Sequence, residues 1–314
     1  MRTLLTILLC ALLGGMWVVQ PAGAADYPDR PVKLMTMVGP GAQIDLLTRR
    51  LANELKDVLG QPLLVKNNPG GSHGSVMAAD LSAAKPNGYT LGTSATAAFT
   101  YTPHHNNVNY SLDDFTFISM LGLNQSGIVC KPDRPWETLK DAFEWAREND
   151  KGLTYMFQGS DDRDVMERIA AQEEVDISLM PSSGGPSVIK AVMGGHADLG
   201  HLGAILFEYV QADKLSLLAA TTPERLTKIP DVPTLREQGW DESVEMFVVL
   251  AAPKGVPEER LEVLEKAMDK LADDEEFRKY IADELKMRPV DFGKEYAEEY
   301  MHEAYERFGK QAEQ

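Results

Sequence analysis

Six short segments carry small, hydroxylated or charged residues that could hold a ligand, and each of them follows an apolar run. They are residues 39–43, 67–74, 93–96, 158–163, 182–185 and 201–203. Each precedes a segment of helical periodicity, so free main-chain N–H groups and the positive end of a helix dipole are expected there. The pattern predicts carboxylate binding. The alternative is that these segments are only helix caps and turns.

Residue combinations typical of catalysis are missing from the sequence. It contains no Gly-x-Ser-x-Gly, His-Glu-x-x-His or Cys-x-x-Cys motif. His196 and His201 flank Asp198, but their spacing does not place both histidines on one helical face. The acidic segment 161–164 could bind a divalent cation, although aspartates at the start of a helix more often cap it. We therefore predict no catalytic residues, no metal and no cofactor, with an exported hydrolase as the disfavoured alternative.

The first 25 residues have the pattern of a secretory signal peptide. Arg2 precedes an apolar run over residues 4–19, and the small residues 22–25 that follow permit cleavage. Removal of this segment leaves Cys130 as the only cysteine, so no internal disulfide is expected.

The chain has 314 residues and a formal net charge of −17, which disfavours binding to nucleic acid or to acidic membranes.

Apolar runs alternate with amphipathic segments from residue 32 onward, which indicates an α/β fold with parallel sheets. The runs predict strands at 32–38, 63–66, 90–94, 115–121, 127–130, 153–157, 177–180, 197–201, 215–220 and 245–251. The periodicity predicts helices at 45–59, 74–84, 137–149, 162–173, 186–194, 203–211, 257–271, 274–285 and 293–312.

Residues 32–121 and 127–220 repeat the same plan, and the strand at 245–251 is expected to rejoin the first half. We therefore predict two doubly wound domains joined by two crossing segments. Domain I comprises residues 26–124 plus 240–314, and domain II comprises residues 125–239. The carboxyl ends of the strands in both domains then border one cleft, where ligands bind in open α/β sheets.

Ordered motifs along the chain resemble a known family, the periplasmic solute-binding proteins of tripartite tricarboxylate transporters (Bug or TctC type). The resemblance covers nearly the whole mature chain. It rests on the Tyr-Pro-x-Arg-Pro-Val start at 27–32, Pro-Gly-Ala-Gln-Ile-Asp at 40–45, Leu-Gly-Gln-Pro at 59–62, Asn-Asn-Pro-Gly-Gly at 67–71, Pro-Asn-Gly-Tyr-Thr-Leu at 86–91, Gly-Gly-His-Ala-Asp at 194–198 and Ile-Pro-Asp-Val-Pro-Thr at 229–234.

The resemblance implies a Venus-flytrap fold of the type II kind, a periplasmic location and no catalysis. It implies capture of a small organic acid and its delivery to a two-component integral membrane permease. We expect a monomer. A periplasmic sensor that presents the bound acid to a receptor kinase is the alternative, and the sequence does not separate the two.

The ligand loops depart from the pattern of this family at several places, including Ile44, Ser182-Ser183 and Leu202-Gly203, and two departures bear most on the ligand. Gly41-Ala42-Gln43 stands where the family has three glycines, and Gln43 can donate hydrogen bonds there. In segment 159–163 two aspartates replace hydroxyl residues and Arg163 replaces a histidine. One hypothesis is that Asp161 or Asp162 faces an amino group of the ligand. The other is that Arg163 neutralises one of these acids and the ligand is a plain carboxylate.

The loops and the resemblance together predict a set of ligand-binding residues, contributed by both domains. They are Gly41, Ala42, Gln43, Asp45, His73, Gly74, Thr93, Ser94, Thr96, Ser160, Asp161, Asp162, Arg163, Ser182, Ser183, Gly184, His201 and Gly203.

Overall fold

The computed structural model describes residues 27–290 and 293–313, so the predicted signal peptide lies outside the described residues. The strands of this part are β1 (Val32–Thr36), β2 (Leu63–Asn67), β3 (Thr90–Ala95), β4 (Phe115–Asn124), β5 (Gly127–Cys130), β6 (Leu153–Phe157), β7 (Ile177–Pro181), β8 (Leu199–Leu202), β9 (Ser216–Ala220), β10 (Phe247–Pro253) and β11 (Met287–Arg288).

Helices connect most of these strands. They are α1 (Gln43–Leu59), α2 (Ser75–Ser82), α3 (Ala97–Thr100), α4 (Thr102–His105), α5 (Leu139–Glu148), α6 (Ser160–Gln172), α7 (Gly185–Met193), α8 (Leu206–Gln211), α9 (Glu258–Ala272), α10 (Glu275–Lys279) and α11 (Lys294–Ala312). A π-helical turn at Tyr280–Glu284 follows α10. No helix within residues 27–290 and 293–313 is long and apolar enough to cross a membrane.

The strands form two sheets, which confirms the predicted α/β class with two domains. The first sheet has the order β11-β4-β10-β3-β1-β2, and the second has the order β7-β6-β8-β5-β9. The first sheet takes its strands from both ends of the described chain, and the second takes its strands from the middle. This membership supports our proposal of domain I (26–124 plus 240–314) and domain II (125–239).

The expectation of parallel sheets is wrong for β11, which is antiparallel to β4, and for the strands that begin where the chain crosses between domains. β10 is antiparallel to β3 and β4, and β5 is antiparallel to β8 and β9. A strand that enters a sheet from the other domain starts at the edge where β1 and β3, or β6 and β8, end. It must therefore run in the opposite direction to them.

Helix α1 shows how the sequence positions the first ligand loop. Its apolar residues at three- and four-residue spacing, Ile44, Leu47, Leu51 and Leu55, are buried in one core with strand β1. Gly60 ends the helix with φ 70°, and its N–H donates to the Lys56 carbonyl at 2.9 Å. Packing along the whole helix thus fixes its N-terminus, which begins directly after residues 39–42.

The N-terminus of α5 in domain II is held by a reciprocal capping box. The Thr138 hydroxyl accepts a hydrogen bond from the Asp141 N–H at 3.1 Å, and the Asp141 carboxylate accepts one from the Thr138 N–H at 2.8 Å. The helix packs Leu139 and Phe143 into the same core as Trp240. Trp240 lies between β9 and β10, in residues 221–246, which form the second crossing segment.

Thr138→Ala is expected to lower the free energy of unfolding by about 1 kcal/mol, because the N–H of Asp141 loses its partner. Urea unfolding followed by circular dichroism measures this change. Thr138→Ser keeps the hydroxyl and should unfold close to the wild type. Equal destabilisation by both substitutions would show that the methyl group of Thr138, and not its cap, stabilises the helix.

Candidate ligand site

The predicted ligand loops occupy the same topological position in both domains. They follow β1, β2 and β3 in domain I and β6, β7 and β8 in domain II, at the carboxyl ends of these strands. Two contacts cross the cleft from neighbouring turns of α6. The Oδ1 atom of Asp161 lies 3.8 Å from the Nε2 atom of His73, and the Tyr101 hydroxyl donates to the Oδ2 atom of Asp164 at 3.0 Å.

Asp45 organises the loop that precedes α1. Its side chain is 1% exposed, and its Oδ2 atom accepts hydrogen bonds from the Gly41 N–H at 2.8 Å and from Arg49 Nε at 2.9 Å. Its Oδ1 atom accepts from Asn67 Nδ2 at 2.6 Å. All of these partners belong to the protein, so Asp45 positions the loop that a ligand would contact.

The side chain of Gln43, which we predicted to donate hydrogen bonds to the ligand, donates within the protein. Its Nε2 atom donates to the Leu285 carbonyl at 2.6 Å. The main-chain N–H of Gly41 is likewise taken, since it donates to Asp45. The donors that α1 leaves to a ligand are the N–H groups of its first turn, which have no partner within a helix.

The predicted ligand residues at the end of β3 and directly after it are buried. Thr93, Ser94 and Thr96 are at most 1% exposed. The hydroxyl of Thr93 lies 2.6 Å from that of Thr48, and the hydroxyl of Ser94 donates to the Met37 sulfur at 3.3 Å. These side chains support the floor of the cleft.

Met37 is a site residue that sequence reasoning missed. Its sulfur accepts from the Ala95 N–H at 3.0 Å, and it packs against Gly74, so that it connects the loops after β1, β2 and β3. The apolar run of β1 includes Met37 without any sign that it lies at the cleft. Only the pairing of the strands reveals its position.

His73 lies in a tight turn that glycines make possible. Gly70, Gly71 and Gly74 have positive φ, and His73 itself has φ 49°. The Nδ1 atom of His73 is 3.0 Å from the Ser72 hydroxyl, and its ring meets the edge of Tyr101 at 5.4 Å between centroids. The turn thereby directs the other ring nitrogen, Nε2, across the cleft toward domain II.

The two neighbouring aspartates of α6 have different environments. Asp162 is 2% exposed and accepts hydrogen bonds from the Gly159 N–H at 2.5 Å, the Gln158 N–H at 3.1 Å and the Tyr155 hydroxyl at 3.1 Å. Burial raises the pKa of Asp162, and the charge of Asp161 adds to the rise. Asp162 caps α6, and its carboxylate is occupied by protein donors.

The hypothesis that Arg163 neutralises Asp161 or Asp162 is wrong. The Nε atom of Arg163 donates to the Oδ1 atom of Asp164 at 2.8 Å. Asp162 is also adjacent to Arg163, but its carboxylate accepts from Gly159, Gln158 and Tyr155 within its own domain. The charge of Asp161 is therefore left without an arginine partner.

The loop after β7 is held by bonds within itself. The Ser183 N–H donates to the Ser187 hydroxyl at 3.0 Å, and the Gly184 N–H donates to the Ser182 hydroxyl at 3.3 Å. Ser160, Ser182, Gly184 and Gly203 are partly exposed, and Ser183 is exposed. The side chain of Ser160 hydrogen-bonds the Tyr101 hydroxyl of domain I, and Gly203 lies close to Asn124.

His201 connects the domain II loops to both crossing segments. It is 7% exposed, its Nδ1 atom lies 3.5 Å from Asp162 Oδ2, and its Nε2 atom lies 3.2 Å from the Thr221 hydroxyl. The Thr221 hydroxyl in turn lies 2.7 Å from that of Ser126. Sequence reasoning found His201 but not Thr221 or Ser126, which lie in the segments that join the domains.

A cavity of about 500 Å³ adjoins the cleft. Its walls come from α3, α6, α11 and the second crossing segment, and Asp161 is the one predicted ligand residue that lines it. The arginines on its wall are engaged: Arg168 bonds Glu242 at 2.6 Å, Arg236 lies 3.3 Å from Asp241, and Arg307 lies 3.7 Å from Glu245.

Two α/β domains with double crossing segments and ligand loops facing one cleft define a two-domain solute-binding protein. The family model described as "Tripartite tricarboxylate transporter family receptor" matches residues 47–313. The chain belongs to this TctC family, whose members are periplasmic solute-binding proteins. The resemblance of the sequence motifs to the Bug and TctC proteins is thereby confirmed.

Relatives and solved structures agree with this membership. A UPF0065 protein from the gbd 5' region of Cupriavidus necator is 30% identical over 87% of this chain and 84% of its own length. BugT of Bordetella pertussis is 30% identical over 76% of this chain and 75% of its own length. A TctC solute-binding protein from Polaromonas has a TM-score of 0.78 at 26% identity, covering 90% of this chain and 98% of that one. MatC of Rhodopseudomonas palustris with bound malate shares the fold, with a TM-score of 0.73 at 21% identity over 91% of this chain and 100% of that one.

Proposed function

We propose that this protein captures a small organic acid in the cleft between its domains and delivers it to a two-component membrane permease. The observation that carries the proposal is the contact of His73 in domain I with Asp161 in domain II at 3.8 Å, which joins two of the six predicted ligand loops. Closure of two domains over a ligand is the motion that such a hinged arrangement permits.

The donors of the site favour an anion held by main-chain groups. Helices α1, α6 and α7 have 17, 13 and 9 residues and begin at loops that border the cleft. Their first N–H groups and dipoles favour a carboxylate. The six loops contain a single arginine, Arg163, and no lysine, and Arg163 is engaged by Asp164. The malate bound by MatC supports a carboxylate as the ligand class.

The proposal places the mature protein in the periplasm after removal of residues 1–25. Family membership supports this location, and so does the signal-like sequence of that segment. Affinity capture from membranes with the mature protein, carried out with and without a bound acid, is expected to recover a two-component permease. Recovery of a receptor kinase in its place would overturn the transport role.

Stabilisation by carboxylates tests the ligand class directly. The mature protein, unfolded and refolded to remove any bound ligand, is expected to melt several degrees higher with its cognate acid. A ligand at about 100 times its dissociation constant adds roughly 2.7 kcal/mol to the free energy of unfolding. The amide of each acid, which lacks the negative charge, is the matched control. A panel of mono-, di- and tricarboxylates and amino acids without any shift would contradict the proposal.

A further inference from the structure

Asp161 is the acid at the start of α6 that has no arginine partner, and its contact across the cleft is with His73. Asp162 is occupied by three donors of its own domain, and Arg163 is occupied by Asp164. The side chain of Asp161 is 21% exposed, and its nearest cation-capable neighbour is His73 at 3.8 Å. That distance exceeds the range of a direct hydrogen bond.

The space beside Asp161 is large enough for a ligand. Asp161 lines the cavity of about 500 Å³, a volume within the range of small-molecule sites. Each arginine on the cavity wall lies within 4 Å of an acid other than Asp161, namely Glu242, Asp241 or Glu245. Among the described residues that line this cavity, no arginine is left to neutralise Asp161.

The ionisation of Asp161 agrees with this geometry. Burial by itself raises the pKa of Asp161, but the neighbouring His73 and His201 outweigh burial and hold the pKa below its usual range. The group is therefore an anion at neutral pH. A second carboxylate of a plain diacid would be repelled where it approached Asp161, whereas an ammonium group would be attracted.

We infer that Asp161 binds the ammonium group of the ligand, so that this receptor selects organic acids that carry an amino group over the same acids without one. The ligand carboxylate lies on the main-chain donors of the cleft loops. Asp161 is thus a specificity-determining residue, and the inference rests on the proposed function, since it concerns the same site. The cavity receives the remainder of the ligand.

Matched pairs of acids test the inference by isothermal titration calorimetry on the refolded mature protein. The pairs are aspartate and succinate, glutamate and glutarate, 2-aminoadipate and adipate, and phenylalanine and 3-phenylpropionate. In at least one pair, the amino acid is expected to bind about tenfold to a hundredfold tighter than its partner, as befits a charge-assisted hydrogen bond. Asp161→Asn should abolish this preference within the same pair.

Two further variants separate the charge of Asp161 from general effects. Asp269→Asn removes the same charge from an exposed position on α9 and should keep the wild-type preference. Asp161→Ser provides a second test of the position if Asp161→Asn does not fold, as judged by circular dichroism. A preference for the plain acids, or one that survives both Asp161 variants, overturns the inference and leaves the proposed function standing. Failure of every acid to bind the wild type overturns both.

Discussion

Replacing Asp45 with alanine is expected to lower the free energy of unfolding by about 3 kcal/mol and to weaken carboxylate binding by about tenfold or more. The carboxylate is 1% exposed and accepts hydrogen bonds from Gly41, Arg49 and Asn67. Its removal leaves the Gly41 N–H and the Asn67 amide without this acceptor. The loop before α1 then loses the contact that fixes it, and the N-terminus of α1 is no longer presented in one geometry.

Asp57→Ala is the matched control for this variant, since Asp57 is exposed on the same helix. It should change the free energy of unfolding by no more than about 0.5 kcal/mol. Urea unfolding and calorimetric titration with the cognate acid measure both effects. Similar losses in the two variants would show that stability and binding depend on the overall charge of α1 and not on the hydrogen bonds of Asp45.

The contribution of Asp45 should also depend on pH in a defined direction. Burial by itself raises its pKa, but the bonds from Arg49, Gly41 and Asn67 outweigh burial and hold the pKa below the usual value. The stabilisation is therefore fully present above about pH 3.9, the value for an unfolded chain, and is lost as the pH falls through the lower folded-state pKa. The stability difference between the wild type and Asp45→Asn should accordingly persist at neutral pH and shrink below about pH 4.

The bounds of a strand were predictable where a single apolar run forms the whole strand. The predicted bounds of the strands at 127–130 and 153–157 agree with β5 and β6, because polar residues flank both runs. Helices α3 and α4 were missed, since residues 97–105 are too short and mixed to show a period. β11 has two residues, and it becomes a strand only through pairing with β4.

The topology of the loops was also predictable, but the direction of their side chains was not. The order of strands and helices placed His73 and Asp161 at facing edges, and the structure brings them within 3.8 Å. Nothing near Gln43 in the sequence points to the Leu285 carbonyl, which lies 242 positions away. Likewise, the neighbours Asp161 and Asp162 are equivalent in the sequence, and only the burial of Asp162 against Tyr155 distinguishes this capping residue from the partly exposed Asp161.

Replacing Gly74 with alanine is expected to destabilise the protein by about 3 kcal/mol. Two costs contribute, the strain of a positive φ and a steric clash with Met37, and a second variant separates them. Gly74 has φ 90°, and a Cβ atom built there would lie 2.6 Å from the Cβ atom of Met37. Any relief of this clash moves Met37, whose sulfur accepts from the Ala95 N–H. The strain therefore spreads from the loop after β2 to the loop after β3, and ligand binding should weaken as well.

Gly41→Ala isolates the cost of the backbone conformation alone. Gly41 has φ 83°, but a Cβ atom added there meets no atom within 4 Å, so only the strain of about 1 kcal/mol is expected. The difference between the two variants in urea unfolding reports the steric clash at Met37.

A double variant, Gly74→Ala with Met37→Ala, does not recover this difference, because the clashing Cβ atom of Met37 remains. Met37→Gly removes that atom and should reduce the penalty of Gly74→Ala toward that of Gly41→Ala. Equal penalties for the single variants Gly41→Ala and Gly74→Ala would mean that the loops after β1 and β2 are not packed against each other through Met37.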